Sequence, residues 1–122
     1  MKIYVAAKYE LKEIVRKLYG ILTNAGHQIS YDWTGEEVEE PHKIAHEEVS
    51  GVLACDALVI LPHERGKGQY TELGVALASR KRIFVFCTGI SKGWNIFLHH
   101  RECEYVRNEA VLLDRLRILE GP

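Results

Sequence analysis

The sequence predicts an α/β domain built on a five-stranded parallel sheet with helices on both faces, and three observations carry that expectation. Strand-like apolar segments alternate with segments of helical period along the whole chain, the third strand is uniformly apolar rather than alternating, and glycine or proline marks the junctions. Residues 1–122 are read as one domain, because 47% hydrophobic and 27% charged residues are the proportions of a single compact unit.

Taken in order, residues 2–7 read as a short buried strand, and Leu11, Ile14, Val15, Leu18, Ile21 and Leu22 then recur at helical spacing up to Gly26. Residues 27–31 form the second predicted strand. An acidic loop over 32–40 follows, expected to be solvated and mobile, and Pro41 opens the next helix, where its missing N–H is not needed. That helix runs over about 42–54 into a strand at 56–61, whose unbroken hydrophobicity suits a central parallel strand; Pro62 ends it. The loop 63–68 leads to a helix over about 70–80, a strand at 82–87, a Gly-containing stretch to His100 and a weak strand at 102–106. A last amphipathic helix carries Val111, Leu112, Leu113, Leu116 and Leu119. Five β-α units without an internal repeat make a flavodoxin-like, doubly wound sheet. Such sheets hold ligands beyond the carboxyl ends of their strands, so the segments after Ala7, Tyr31, Leu61 and Cys87 matter most.

Sixteen Lys and Arg stand against seventeen Asp and Glu, and the formal net charge of -1 gives no field that argues for a nucleic-acid polymer or a membrane. A small molecule is the expected partner. No apolar run approaches the roughly 20 residues of a membrane span, and the chain opens on a strand-like segment without a signal pattern, so the cytoplasm is the expected location. Cys55, Cys87 and Cys103 match no zinc spacing and sit in or beside apolar runs; buried, reduced thiols are expected, with no metal and no cofactor.

Gly66-Lys67-Gly68-Gln69-Tyr70-Thr71-Glu72-Leu73-Gly74 crosses from the loop after the third strand into a helix, where free N–H groups and the helix dipole favour negative charge. It lacks the Ser or Thr after Gly-Lys of a nucleotide P-loop and the third Gly of a dinucleotide fingerprint. Glu72 falls in the first turn of the predicted helix, which would lower its pKa and suit a nucleophile; on this feature alone, dipole stabilisation is the favoured explanation of an acid there. On the preceding helix Ile44, Ala45, Val49, Val52 and Leu53 define an apolar stripe, with Glu48 inside its edge and Glu47 well away from it. Burial there would raise the pKa of Glu48 and suit a general acid, although a salt-bridged glutamate at the core rim reads the same way. Two carboxyls pushed apart in this manner form the acid and nucleophile of retaining glycoside hydrolysis. His42 and His46, one turn apart, lack a third ligand and read as a solvated face. Asp56 sits at the far end of its strand, where it caps the preceding turn. Trp33 and Trp94 lie in ligand-side loops, placed either to stack on a base or to pack. Arg65 and Lys67 either meet a phosphate or are solvated.

Lys2-Ile3-Tyr4-Val5-Ala6-Ala7, Gly26-His27-Gln28-Ile29, Asp32-Trp33-Thr34, Asp56-Ala57-Leu58-Val59 and Gly68-Gln69-Tyr70-Thr71-Glu72-Leu73-Gly74-Val75-Ala76-Leu77-Ala78 together resemble the nucleoside 2-deoxyribosyltransferase family. That family includes transferases that move deoxyribose between bases and related 2′-deoxynucleoside 5′-phosphate N-hydrolases. The resemblance implies a covalent glycosyl-enzyme on Glu72, Tyr4 close to that carboxylate, and Glu48 in the place where the family usually has an aspartate eight residues before the strand's Asp56. It also implies a homodimer or higher homo-oligomer, with Asn95 of Trp94-Asn95-Ile96-Phe97 reaching a neighbouring subunit's site. Ala6, Trp33, Gly66, Gly68 and Asn95 are the expected substrate-binding residues. Ala6-Ala7-Lys8-Tyr9 stands where the hydrolases have Gly-Ser-x-Arg-Gly, which, with Asn95, points to a free deoxynucleoside as substrate. The runner-up is a 5′-monophosphate met by Lys8, Arg65 and Lys67, and a third reading is a nucleotide-binding module without turnover. A response-regulator receiver lacks support, because no acidic pair follows the first strand.

Overall fold

The computed structural model describes residues 1–36, 40–87 and 95–121. Five parallel strands, β1 (Lys2–Ala6), β2 (Gln28–Ile29), β3 (Ala57–Ile60), β4 (Arg82–Phe86) and β5 (Cys103–Val106), stand in the order β2-β1-β3-β4-β5. This is the predicted doubly wound sheet, and its strand order reverses between β1 and β3. Helices α1 (Lys12–Asn24) and α4 (Glu109–Glu120) pack together on one side, α2 (Pro41–Ala54) and α3 (Gly68–Ala78) on the other. Ile3, Tyr4, Val5 and Ala6 lie in register with Ala57, Leu58, Val59 and Ile60, and all eight are fully buried. Cover on both faces is the physical reason these strands show no polar alternation.

Several boundaries differ from expectation. β2 is confined to Gln28–Ile29 because it lies at the sheet edge with β1 as its sole neighbour, although Ser30 N–H still donates to Ile3 O at 2.9 Å. The loop expected to be solvated begins with buried Trp33 and Thr34; residues 37–39 of it lie outside the described residues. α3 starts at Gly68, ahead of the predicted Tyr70. The β4–β5 connection carries a 3-10 turn, Ile96–His99, in place of a fifth α-helix among the described residues, which exclude Trp94.

α2 begins with Pro41 at its first turn, as the missing N–H allows. Its apolar stripe does not all enter the core: Val52 is buried, but Val49 and Leu53 are 40% and 51% exposed. The helix meets β1 through Gly51, where an added Cβ would stand 2.6 Å from Tyr31 Cβ and 3.0 Å from Tyr4 Cε2. Ile44, Ala45 and Val49 of the stripe line a groove beside α3, whereas Leu53 does not. Asp56 does not cap its preceding turn; its Oδ2 accepts from Lys2 N–H at 2.8 Å and its own N–H donates to Lys2 O, which ties β3 to the start of β1.

α3 ends with Lys81 N–H donating to Ala76 O and Arg80 N–H to Leu77 O, a pattern that puts Arg80 in the left-handed region at φ 59. Glycine is the usual residue there, and a side chain costs roughly 1 kcal/mol. The three cysteines are reduced; Cys55 is buried, whereas Cys87 and Cys103 are half-buried rather than fully enclosed. Among the described residues no cluster of His, Cys, Asp or Glu is arranged to hold a metal, and no helix is long and apolar enough to cross a membrane.

Candidate active site

The reversal of strand order opens a cavity of about 330 Å³ at the carboxyl ends of β1 and β3. β1 supplies Tyr4, fully buried, and the chain leaving β1 lines the cavity with Ala7, Lys8 and Tyr9. Glu48 reaches it from α2, Gly68, Gln69 and Glu72 from α3, and Trp33 and Glu36 from the loop after β2. An apolar groove of about 490 Å³ between α2 and α3 shares Glu36, Glu48 and Glu72 with it.

Glu72 is the most buried of the acids, 8% exposed, and its Oε2 accepts the hydroxyl of Tyr4. The expectation of a lowered pKa is wrong. Because α3 begins at Gly68, Glu72 lies beyond the first turn, where the dipole has faded, and burial dominates. Burial, reinforced by the facing Glu48 carboxyl and opposed by the Tyr4 hydrogen bond, pushes the Glu72 carboxyl up to about 9. Burial and the adjoining Glu72 hold the Tyr4 phenol well above its ordinary range, so Tyr4 remains a donor at any working pH. Glu48, half-buried, is raised by burial and then by Glu36, the direction its place in the apolar stripe predicts. The carboxyls therefore titrate as a coupled group.

Glu36 and Gln69 were not singled out in the sequence. Glu36 Oε2 accepts from Tyr31 Oη at 2.5 Å and faces the other two acids; inside an acidic loop nothing marked it. Gln69 is 2% exposed, donates Nε2–H to Leu61 O at 2.7 Å and thereby pins the start of α3 to the end of β3. Gly66 makes room for it, since a Cβ there would fall 1.6 Å from Gln69 Oε1. Gly68 lines the cavity directly. Ala6 is enclosed in the sheet, and Ala7 takes the wall position. Trp33 forms wall but is locked in packing, its Nε1–H donating to Val5 O at 2.6 Å. Arg65 and Lys67 join Lys8 in the same lining, which places three cations beside the acids. Asn95 stays outside the linings of both cavities and accepts from Phe97 N–H at 2.9 Å as a turn cap. His42 and His46 are exposed, as expected.

No protein-family profile and no curated protein matches the chain. Among solved structures, the CMP N-glycosidase BcmB of Clostridium botulinum aligns with a TM-score of 0.70 over 97% of this chain and 99% of its own, at 18% identity. At that identity the likeness is one of fold: the chain shares the doubly wound α/β fold of this N-glycosidase. Within this fold, matching coverage of both chains means that the five strands and their connecting helices account for the full extent of the neighbour as well.

Proposed function

We propose that the chain cleaves the N-glycosidic bond of a 2′-deoxynucleoside 5′-monophosphate, passing the glycosyl group through an ester with Glu72. The observation that carries this reading is one cavity holding a buried, Tyr4-bonded carboxyl, a second carboxyl facing it, and Lys8, Arg65 and Lys67. Those cations favour the monophosphate over the free nucleoside, because a 5′-phosphate gives Arg65 and Lys67 a partner beside Lys8, which already pairs with Glu10 at 3.4 Å. The BcmB neighbour is named for CMP, a ribonucleoside monophosphate, which fits the phosphate; the deoxy sugar is what the family resemblance implies.

The two facing acids share one proton in the competent state. Burial favours the shared proton on Glu72 in the empty site, and the competent state is the minor form in which Glu48 holds it: the Tyr4 hydroxyl then stabilises ionised Glu72, which attacks C1′ as the C1′–N bond breaks, and the base leaves with the proton of Glu48. The Glu48 carboxylate then takes a proton from water, whose oxygen attacks C1′ and frees Glu72, or an acceptor base takes the sugar instead. The protein acts as a homodimer in which Asn95 of one subunit serves the site of the other; exposed Ile96 and Phe97, at 76% and 56%, support an interface beside it.

Chromatography of base release tests the proposal with deoxynucleoside monophosphates, the corresponding nucleosides and ribonucleotides, with and without an acceptor base. The expected result is fastest release from a deoxynucleoside monophosphate, with Lys67→Ala narrowing its advantage over the nucleoside. Equal rates for both would remove the phosphate from the proposal. Binding without release from any substrate would reduce the chain to a nucleotide-binding module.

A further inference from the structure

The opposite end of the sheet carries a second concavity, about 610 Å³, between the C-terminus of α3, the first residue of β4 and the segment leading into β5. Arg80, Lys81, Arg82, His100 and Arg101 line it, against one acid, Glu102. Local needs account for part of this set: Lys81 Nζ donates to Leu53 O at 2.7 Å at the end of α2, and Arg101 Nε lies 4.0 Å from Glu102. The side chains of Arg80 and Arg82 have no hydrogen-bonding or ionic partner among the described residues, whereas those of Arg16, Arg115 and Arg117 each pair with a carboxylate.

The backbone of Arg80 is an independent indication. It is the one non-glycine residue at positive φ among those described, in a turn that glycine closes with less strain. The α3 C-terminus presents its negative dipole end here, so an anion must be held by side chains rather than by backbone N–H groups.

We propose that this cleft binds an oligophosphate, two or more linked phosphate groups, through the guanidinium groups of Arg80, Arg82 and Arg101. Planar guanidinium donors match phosphate oxygens, and several in one concavity suit a multiply charged anion better than a single phosphate. The one aromatic ring of the cleft is the imidazole of His100, whose Nδ1 already accepts from Glu102 N–H at 3.0 Å, and Leu77 is its one apolar side chain, a lining that suits phosphates rather than a base. A net charge of -1 and one isolated cleft do not form the extended basic track that a nucleic-acid backbone uses.

The experiment is amide-resolved NMR titration of the whole chain with orthophosphate, pyrophosphate, tripolyphosphate, ATP and a single-stranded oligonucleotide. Tripolyphosphate and pyrophosphate are expected to bind more tightly than orthophosphate and to shift the amides of Lys81, Arg82 and Arg101. ATP binding no more tightly than tripolyphosphate would place recognition in the phosphates. Arg82→Gln should weaken tripolyphosphate binding about tenfold. Arg80→Gly should weaken it similarly while raising thermal stability, because glycine fits the turn. Shifts confined to Gly66 and Gly68, affinity unchanged in both variants, or tighter binding of the oligonucleotide would overturn the proposal.

Discussion

At Glu72, burial that lifts the carboxyl to about 9 also ties stability to pH. The folded protein keeps this proton where an unfolded chain, ionising near 4.5, has lost it, so the contribution is fully present below about 4.5 and disappears as pH rises toward about 9. Glu72→Gln is neutral throughout. Denaturant titrations should show the wild type losing stability across that interval and the variant losing less; equal slopes would show that Glu72 is not the buried acid. Activity needs one proton on the coupled acids, so it should fall on the alkaline side as that proton leaves, and Glu48→Gln should change this limb. Tyr4→Phe preserves the ring and removes the donor to Glu72, with an expected fall of about 10- to 100-fold in base release and little change in fold. A Tyr4→Phe enzyme of unaltered rate would leave the hydroxyl without a catalytic role. The Gly-rich motif made Glu72 legible in the sequence, but the direction of its titration depended on where α3 begins and how deeply it sits. Glu36 was illegible because its neighbours in the loop are equally acidic, and only the fold aims it at Glu48.

Among the elements, α2 and α3 place the two acids, and each meets the rest of the molecule through a small residue. Gly51 lets α2 approach β1 at Tyr4, so Gly51→Ala should push the helix outward, lower stability by roughly 1–3 kcal/mol and reduce base release by separating Glu48 from Glu72. Thermal unfolding alongside kinetics tests this, and an alanine variant as stable and active as wild type would show that α2 has slack. Periodicity located α1, α2 and α4 well because one face of each must meet the core. It assigned Val49 and Leu53 to the core wrongly, since the Gly51 contact, which is not encoded in a hydrophobic stripe, sets the rotation of α2. The length of β2 was similarly hidden: an edge strand ends where its neighbour stops pairing, which the residues over 27–31 do not announce.

For the molecule as a whole, uniformly apolar β1 and β3 made a covered parallel sheet legible, and the switch between them put the cavity where strand order alone predicts it. The proposal of a subunit-shared site rests on the family resemblance and on exposed Ile96 and Phe97 beside Asn95. Mixing Glu72→Ala with Asn95→Ala subunits after dissociation should restore about a quarter of the sites in a two-fold assembly, because about half the dimers are mixed. No recovery after demonstrated exchange, with both parents inactive, would confine the site to one chain. The central claim is the glycosyl ester on Glu72, and mass spectrometry of peptides tests it most directly after treatment with a 2-fluoroarabinosyl nucleoside 5′-monophosphate, whose fluorine slows breakdown of the intermediate. The account predicts one added glycosyl mass on the peptide containing Glu72 and none in Glu72→Ala; a label on another residue, or base release with no labelled peptide, would contradict it.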